Sequence, residues 1–358
     1  MKKKIILILP TAGGGGSEKV LLNIANLLIY DFNVTVCFLN LNKKDYLHLL
    51  SKKIKIINLK KKNIRKSFFQ LLKIVNVEKF EYVLSSIFHI NIISILIKIF
   101  SINKFKLIIR ETNKISQKKN NFFKFFLIFI FYRFSNLIIS PSKQINNELK
   151  KFLINKKKIK LLNNPVIINN NEEKKTSQIK KLKSFIKKSK FLITLTRLEK
   201  HKNIDFILEC LAKINKTMDL KLLIVGNGSQ KFKLNLKIRN LGLQNKVKII
   251  RFISNPHIIL KKSNLYFNSS YYEGQSNSVL EALYCNVPVL SADNGSHTRY
   301  IKKYSYGYVF NRFNVTKVSQ KIPQIINKKF SKISSQYYQD VDGTKIKKKL
   351  VKIINKIN

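Results

Sequence analysis

The sequence predicts an α/β protein of two doubly wound domains with parallel sheets. Short apolar runs alternate with segments of helical period in two blocks, on either side of a polar stretch at 168–189. The first apolar run leads straight into a glycine-rich turn and a helix, the usual opening of a doubly wound domain. At 358 residues, 45% of them hydrophobic, the chain is long enough for two sizeable cores. The expected division is an N-terminal domain at 1–167, a linker or surface segment at 168–189, a C-terminal domain at 190–340 and a terminal helix at 341–358.

In the first block, residues 2–10 read as a strand and residues 11–17 as a loop with four glycines, Gly13, Gly14, Gly15 and Gly16. Val20, Leu21, Ile24, Leu27 and Leu28 then recur at helical spacing. Glycines let a backbone approach phosphate or sugar closely. The turn lacks the full dinucleotide spacing and its partner acid, which argues against a nicotinamide site. Residues 33–39, 55–59, 82–85 and 106–109 read as further strands. His89 follows the 82–85 strand just past its carboxyl end, where ligands of α/β sheets gather. Arg110, Glu111, Thr112 and Asn113 hold the same position after the next strand. Residues 121–134 (NFFKFFLIFIFYRF) are the most apolar segment. They read as a core helix, or as a phenylalanine-rich face in a membrane interface flanked by Lys118, Lys119 and Lys124.

The second block opens with a strand at 191–196, then Arg197 and Lys202 ahead of a helix from Asn203. Two cations five apart at a strand-to-helix turn suit a diphosphate, arginine making the two-pronged contact. Arginine is scarce, eight of the 70 basic residues, so Arg197 is harder to set aside than any lysine. A strand at 220–225 ends in Gly226-Asn227-Gly228, a tight turn against which a base or ribose can pack; 247–253 reads as another strand. The stretch 269–298, SSYYEGQSNSVLEALYCNVPVLSADNGSHT, follows an apolar run at 265–267. Glu273 and Gly274 lie in a polar loop. A helix from about Ser276 has Val279, Leu280 and Leu283 on its apolar face, with a strand at 287–290 and a turn at 293–296 beyond it. A helix N-terminus opened by a loop suits an anionic ligand. Glu281 lies ~7.5 Å along that helix at the usual rise, so Glu273 and Glu281 can address different parts of one extended ligand. Alternatively Glu273 is a solvated loop residue and Glu281 a surface position. At the C-terminus, Ile346, Leu350, Ile353 and Ile354 mark a last helix.

The formal charge is +52. Taken alone it points to nucleic acid. The joint abundance of Lys, Asn, Ile and Phe, with no Trp, points instead to compositional drift of an AT-rich genome at surface positions. An anionic membrane face is a second partner for such a surface. Nucleic acid is not expected. No run of 18 apolar residues occurs, so a spanning helix is not expected. The run at 5–9 is too short for a signal peptide. Three separated cysteines, Cys37, Cys210 and Cys285, indicate neither a disulfide framework nor a metal cluster and fit a reducing cytoplasm.

Glu-Gly-x-Ser-x-x-x-Leu-Glu-Ala from Glu273, followed by Val-Pro-Val-Leu, resembles the signature of the retaining nucleotide-sugar glycosyltransferases of family 4. Thr-Arg-Leu-x-x-x-Lys-Asn resembles that family's phosphate-binding pair, at Arg197 and Lys202. Gly-Gly-Ser-Glu-Lys-Val from Gly15 resembles its N-terminal loop, with Gly15 and Gly16 facing the donor and Glu18 toward the acceptor. Residues 138–142 resemble its strand ending in a serine turn, and 161–166 its last N-domain strand and exit. The likeness is strong over 190–310 and looser before it. It implies the GT-B arrangement, two facing Rossmann-like domains with an interdomain cleft, and a terminal helix crossing back to the first domain. It further implies a retaining, metal-independent hexosyl transfer from a UDP- or GDP-type sugar, with no other cofactor. The acceptor implied is a saccharide or polyprenyl-linked saccharide of a bacterial surface-polysaccharide pathway, met in the cytoplasm or on the inner membrane face.

The catalytic residues so implied are Glu273, Arg197 and Lys202. Donor binding falls to Gly15, Gly16, Gly226, Asn227, Gly274, Gln275, Ser276, Asn277, Ser278 and Glu281. Glu273 contacts the transferred sugar and Glu281 the ribose. Glu18, His89, Arg110, Glu111 and Asn113 are the acceptor-side candidates, and no metal site is expected. Three departures stand out. The family's histidine near Arg110–Asn113 is missing, Ser254 and Asn255 follow Phe252 where relatives carry glycine, and Arg299 stands near a common glutamate. Two other classes remain open: an epimerase or glycan phosphorylase on the same scaffold, and a basic nucleic-acid or membrane-surface protein without catalysis.

Overall fold

In the computed structural model, the apolar run of β1 (Lys4–Leu9) is buried from Ile5 onward on both faces. Such a strand has to be central, with neighbours on both edges and helices above and below. It pairs in parallel with β2 (Asn33–Phe38) and β4 (Tyr82–Ser86). Adding β3 (Lys55–Asn58), β5 (Lys106–Arg110), β6 (Leu137–Ser140) and β7 (Ile159–Leu161) gives a seven-stranded sheet of order β3-β2-β1-β4-β5-β6-β7. The second sheet has six strands, β8 (Phe191–Leu195), β9 (Lys221–Val225), β10 (Val247–Ile250), β11 (Leu265–Asn268), β12 (Val289–Ala292) and β13 (Gly307–Phe310). Their order is β10-β9-β8-β11-β12-β13, again parallel. The structure describes all residues except 1, 14, 62, 113–121, 154, 169–181, 183, 187, 188, 252, 254 and 358, and the backbone alone of residue 122.

The chain divides into two units, Met1–Pro165 with Asp340–Asn358, and Val166–Gln339. In the first, the helices Phe68–Glu78, Phe88–Phe100, Phe122–Phe131 and Lys143–Phe152 share one core over one sheet face, including Leu71, Ile93, Ile128, Tyr132 and Leu149. The terminal helix Gly343–Asn355 buries Ile346, Leu350 and Ile354. Asp342 caps it by accepting from the N–H groups of Thr344 and Lys345, and Lys347 pairs with Asp31 at 2.9 Å. In the second unit, the helices Ile204–Ile214, Lys231–Asn240 and Val315–Asn327 cover one face around Leu208, Leu222, Leu234 and Ile322.

Three strands differ from expectation, one of them β12, which runs Val289–Ala292 where 287–290 reads as the strand. Where 161–166 reads as the last strand and the exit from it, the strand β7 lies earlier, at Ile159–Leu161, and 162–166 are the exit. Pro165 has no N–H to donate, and Asn164 turns inward to accept from Arg110. β10 likewise ends at Ile250, short of 253. Of the segments singled out in the sequence, Gly14, Asn113, Lys118, Lys119, Asn121, Phe252, Ser254 and most of 168–189 lie outside the described residues. No helix among the described residues is long and apolar enough to cross a membrane.

Candidate active site

Strand order reverses between β8 and β11. At such a switch point the connections leave in opposite directions, and a crevice opens outside the strand carboxyl ends. β8 delivers Arg197 and Lys202 to that point; β11 delivers the loop with Glu273. Leu195 O, at the end of β8, accepts from Tyr266 Oη at 3.2 Å and from Ser278 Oγ at 2.9 Å. The latter bond fixes the first turn of the helix Asn277–Tyr284 against the strand that carries Arg197. The phosphate-binding elements expected from the sequence therefore meet within one unit.

Arg197 is exposed, and its side chain makes no hydrogen bond or ion pair among the described residues, while its carbonyl oxygen accepts from Glu199 N at 2.9 Å. Its loop is braced from behind by the Gly226–Gly228 turn: Leu198 N donates to Asn227 O at 2.9 Å, and Gln230 N to Leu198 O at 2.9 Å. A Cβ on Gly226 would lie 1.8 Å from Thr196 O, so only glycine fits there. Gly226 and Asn227, expected to receive a base or ribose, are seen here holding the arginine loop in place.

Lys202 ends a 3-10 turn, Lys200–Lys202, and Asn203 follows in the left-handed region at φ 50. Ser269 Oγ sits 2.9 and 2.8 Å from the carbonyl oxygens of Lys202 and Asn203, stitching this turn to the end of β11. Lys202 Nζ meets Glu273 Oε1 at 2.6 Å, with both side chains largely buried, and Ser270 Oγ donates to the same oxygen at 2.9 Å. Burial by itself pushes the Glu273 carboxyl up. The charge and hydrogen bond of Lys202, then His297 and Ser270, outweigh it and hold the group below its ordinary value. Beside this pair, His201 stacks on Tyr272, ring centroids 5.1 Å apart. Burial, with Lys202 and Arg197 close by, lowers its pKa and favours the neutral ring.

The loop after Glu273 is fixed by a second one. Glu273 N donates to Asn294 O at 3.0 Å, Ser296 N to Gly274 O at 3.1 Å and Ser276 N to His297 Nδ1 at 3.3 Å. The N–H of Ser276, expected for the donor, is thus directed at His297. Ser278 likewise gives its hydroxyl to Leu195. Gln275 and Ser276 are buried, and Asn277 opens the helix. Glu281 is buried rather than a surface residue, its Oε2 lying 3.7 Å from His257 Nε2.

In the first unit, order reverses between β1 and β4. Gly15, Gly16 and Glu18 follow β1, and the Glu18 carboxylate folds over Gly15. Exposed His89 opens the helix after β4, and Ile87 before it has φ 78, a conformation costly for a β-branched residue. Arg110, the last residue of β5, and Glu111 just after it are buried. Arg110 donates to Ser86 Oγ at 3.3 Å and to Asn164 Oδ1, and Tyr132 Oη donates to Glu111 at 2.5 Å. Burial brings Arg110 down to about 10, against the opposing effect of Glu111.

His201, His257 and His297 were missed as site residues. They are three of the chain's five histidines, and that scarcity was a usable signal, as it was for Arg197.

Residues 174–340 match the family model of glycosyl transferases group 1. The chain is 32% identical over 215 residues to the N-acetylgalactosamine-N,N'-diacetylbacillosaminyl-diphospho-undecaprenol 4-alpha-N-acetylgalactosaminyltransferase of Campylobacter jejuni, covering 58% of this chain and 56% of that one. It is 31% identical over 214 residues to an uncharacterized glycosyltransferase of Methanocaldococcus jannaschii, covering 58% and 52%. The chain thus spans about half the length of the curated relatives it matches. Its fold is similar to that of Anabaena HepE solved with UDP-glucose, with a TM-score of 0.81 and 16% identity over 98% of this chain and 99% of that one. The chain thus has a GT-B fold of two Rossmann-like units, and its residues 174–340 are similar to the glycosyl transferases group 1.

Proposed function

We propose that the protein moves a sugar from a UDP- or GDP-type nucleotide sugar to a hydroxyl of a saccharide or polyprenyl-linked saccharide, in the cytoplasm, with retained anomeric configuration and without a metal. The observation that carries this reading is the β8/β11 switch point, where exposed Arg197 stands beside the Lys202–Glu273 pair and the start of the helix Asn277–Tyr284. The relatives support the substrate class: the name of the C. jejuni enzyme specifies a diphospho-undecaprenol-linked saccharide, and HepE was solved with UDP-glucose.

Arg197 grips the diphosphate with its planar fork. Lys202, held by Glu273, turns part of its charge to the same phosphate, and the first-turn N–H groups of the helix add donors. As the bond from the sugar's anomeric carbon to the phosphate oxygen breaks, these groups stabilise the negative charge that develops. The acceptor oxygen attacks the same face and its proton passes to the departing phosphate oxygen, which retains the configuration. Glu273 contacts the transferred sugar and Glu281 the ribose hydroxyls. Glu18, His89 and the buried Arg110–Glu111 network remain the acceptor-side candidates.

A thermal-shift screen against UDP-, GDP- and ADP-sugars tests the reading. A true donor raises the melting temperature by mass action, and the shift disappears in Arg197→Ala. A wild type indifferent to every nucleotide sugar contradicts the proposal.

A further inference from the structure

The helix Phe122–Phe131, continued by the turn Tyr132–Phe134, has a clear inner side: Ile128 and Tyr132 are fully buried, and Phe125 and Phe131 pack on the core. At 100° per residue these four share one arc. The opposite arc carries Phe123, Phe126, Phe129 and Phe134, which are 71, 49, 48 and 43% exposed. A helix on the surface of a water-soluble domain normally shows charged and polar groups there. Among the described residues of this arc, Arg133 supplies the charge and phenylalanine the area. The apolar surface continues on the neighbouring helices of the same layer, where Phe69 and Phe100 are also exposed and Phe68 meets both rings edge-on. Exposed phenylalanines thus occur on three helices of that layer.

The charge around that face is one-sided. In sequence, residues 60–161, from which these helices come, contain 23 basic residues and four acidic ones. Of the acids, Glu78 pairs with Lys55, Glu81 accepts from Lys4 N and Glu111 is buried. Lys66, Lys73, Lys104 and Arg133 are all exposed. Exposed phenylalanines on a domain with exposed, unbalanced cations match an anionic bilayer, with rings entering the headgroup–acyl boundary and lysines held by the headgroups. The ten-residue helix is far below the ~20 residues needed to span a membrane, so it lies in the interface.

We infer that the outer face of the helix Phe122–Phe131 docks the first unit onto an anionic lipid bilayer. Docking is independent of the proposed transfer, because it uses none of the residues assigned to the donor.

The chain has no tryptophan, so Phe126→Trp makes a single fluorescent reporter on an exposed position. With phosphatidylcholine vesicles containing phosphatidylglycerol, its emission shifts to the blue and brominated lipids quench it; pure phosphatidylcholine has little effect. Phe126→Ser with Phe129→Ser lowers vesicle co-sedimentation at least tenfold while melting temperature and nucleotide-sugar shift stay at wild-type values. Three results overturn the inference: a wild type that ignores anionic vesicles, a double variant that binds them equally well, or a solution dimer that the double variant dissolves, since the face is then an interface between copies. Vesicle binding by a protein that fails to bind any nucleotide sugar sinks the transfer reading and leaves the docking intact.

Discussion

Lys202 Nζ lies 2.6 Å from Glu273 Oε1, joining the turn after β8 to the loop after β11. Both were expected at the site, the lysine for phosphate and the glutamate for sugar, but not as each other's partner. An arriving diphosphate must share the lysine with the carboxylate, so the two act as a unit. Glu273→Gln and Lys202→Met should each lower kcat by on the order of 10²–10³, the usual loss for one electrostatic group at a developing anion. The double variant should be within about tenfold of the worse single one. Fully multiplicative losses in a kcat cycle show that the two act separately.

The same pair makes stability depend on pH. The Glu273 carboxyl is held below its ordinary value of 4.5 in the folded chain, so its stabilising contribution is fully present above that value. It is lost as pH falls through the folded pKa. Urea unfolding of wild type and Glu273→Gln should give a difference that is constant near neutrality and shrinks below 4.5. A gap that widens on acidification reverses the sign and rules out a depressed carboxyl.

Gly226 carries the loop of Arg197 on a backbone contact that leaves no room for a side chain. Gly226→Ala should destabilise the protein by about 1–3 kcal/mol, as overpacking does, and weaken donor binding by displacing the loop of Arg197. Urea midpoints and donor titrations check both effects. An alanine variant with native stability shows that the loop yields, and that the brace is unimportant.

Glu281 is assigned to ground-state binding of the ribose, and Arg197 to the leaving phosphate. Glu281→Gln should therefore raise the donor KM by roughly tenfold, the scale of one lost charge-assisted hydrogen bond, with kcat little changed. Arg197→Lys should lower kcat. Steady-state kinetics in which Glu281→Gln reduces kcat and leaves KM alone put that carboxylate at the reacting centre.

Much of this was legible because local rules and global fold agree. β1, β2, β4, β8 and β11 are short apolar runs bounded by turns, and buried parallel strands have to read that way. Arg197, Glu273 and Glu281 stood out because arginines and acids are scarce in a lysine-rich chain, and Lys202 through its spacing from Arg197 at a strand-to-helix turn. What stayed hidden depends on tertiary contact. Nothing adjacent in sequence tells that Ser276 N points to His297, 21 residues on, or that Gly226 supports Thr196. β7 was misplaced because the inward turn of Asn164 answers to Arg110, 54 residues away.

The most direct test is calorimetric titration of wild type and Arg197→Ala with UDP and GDP, and with uridine and guanosine. Grip on the diphosphate through Arg197 predicts that wild type binds one diphosphate far more tightly than its nucleoside, and that Arg197→Ala loses most of that margin. Equal affinity of wild type for nucleoside and diphosphate, or an undiminished margin in the variant, contradicts it.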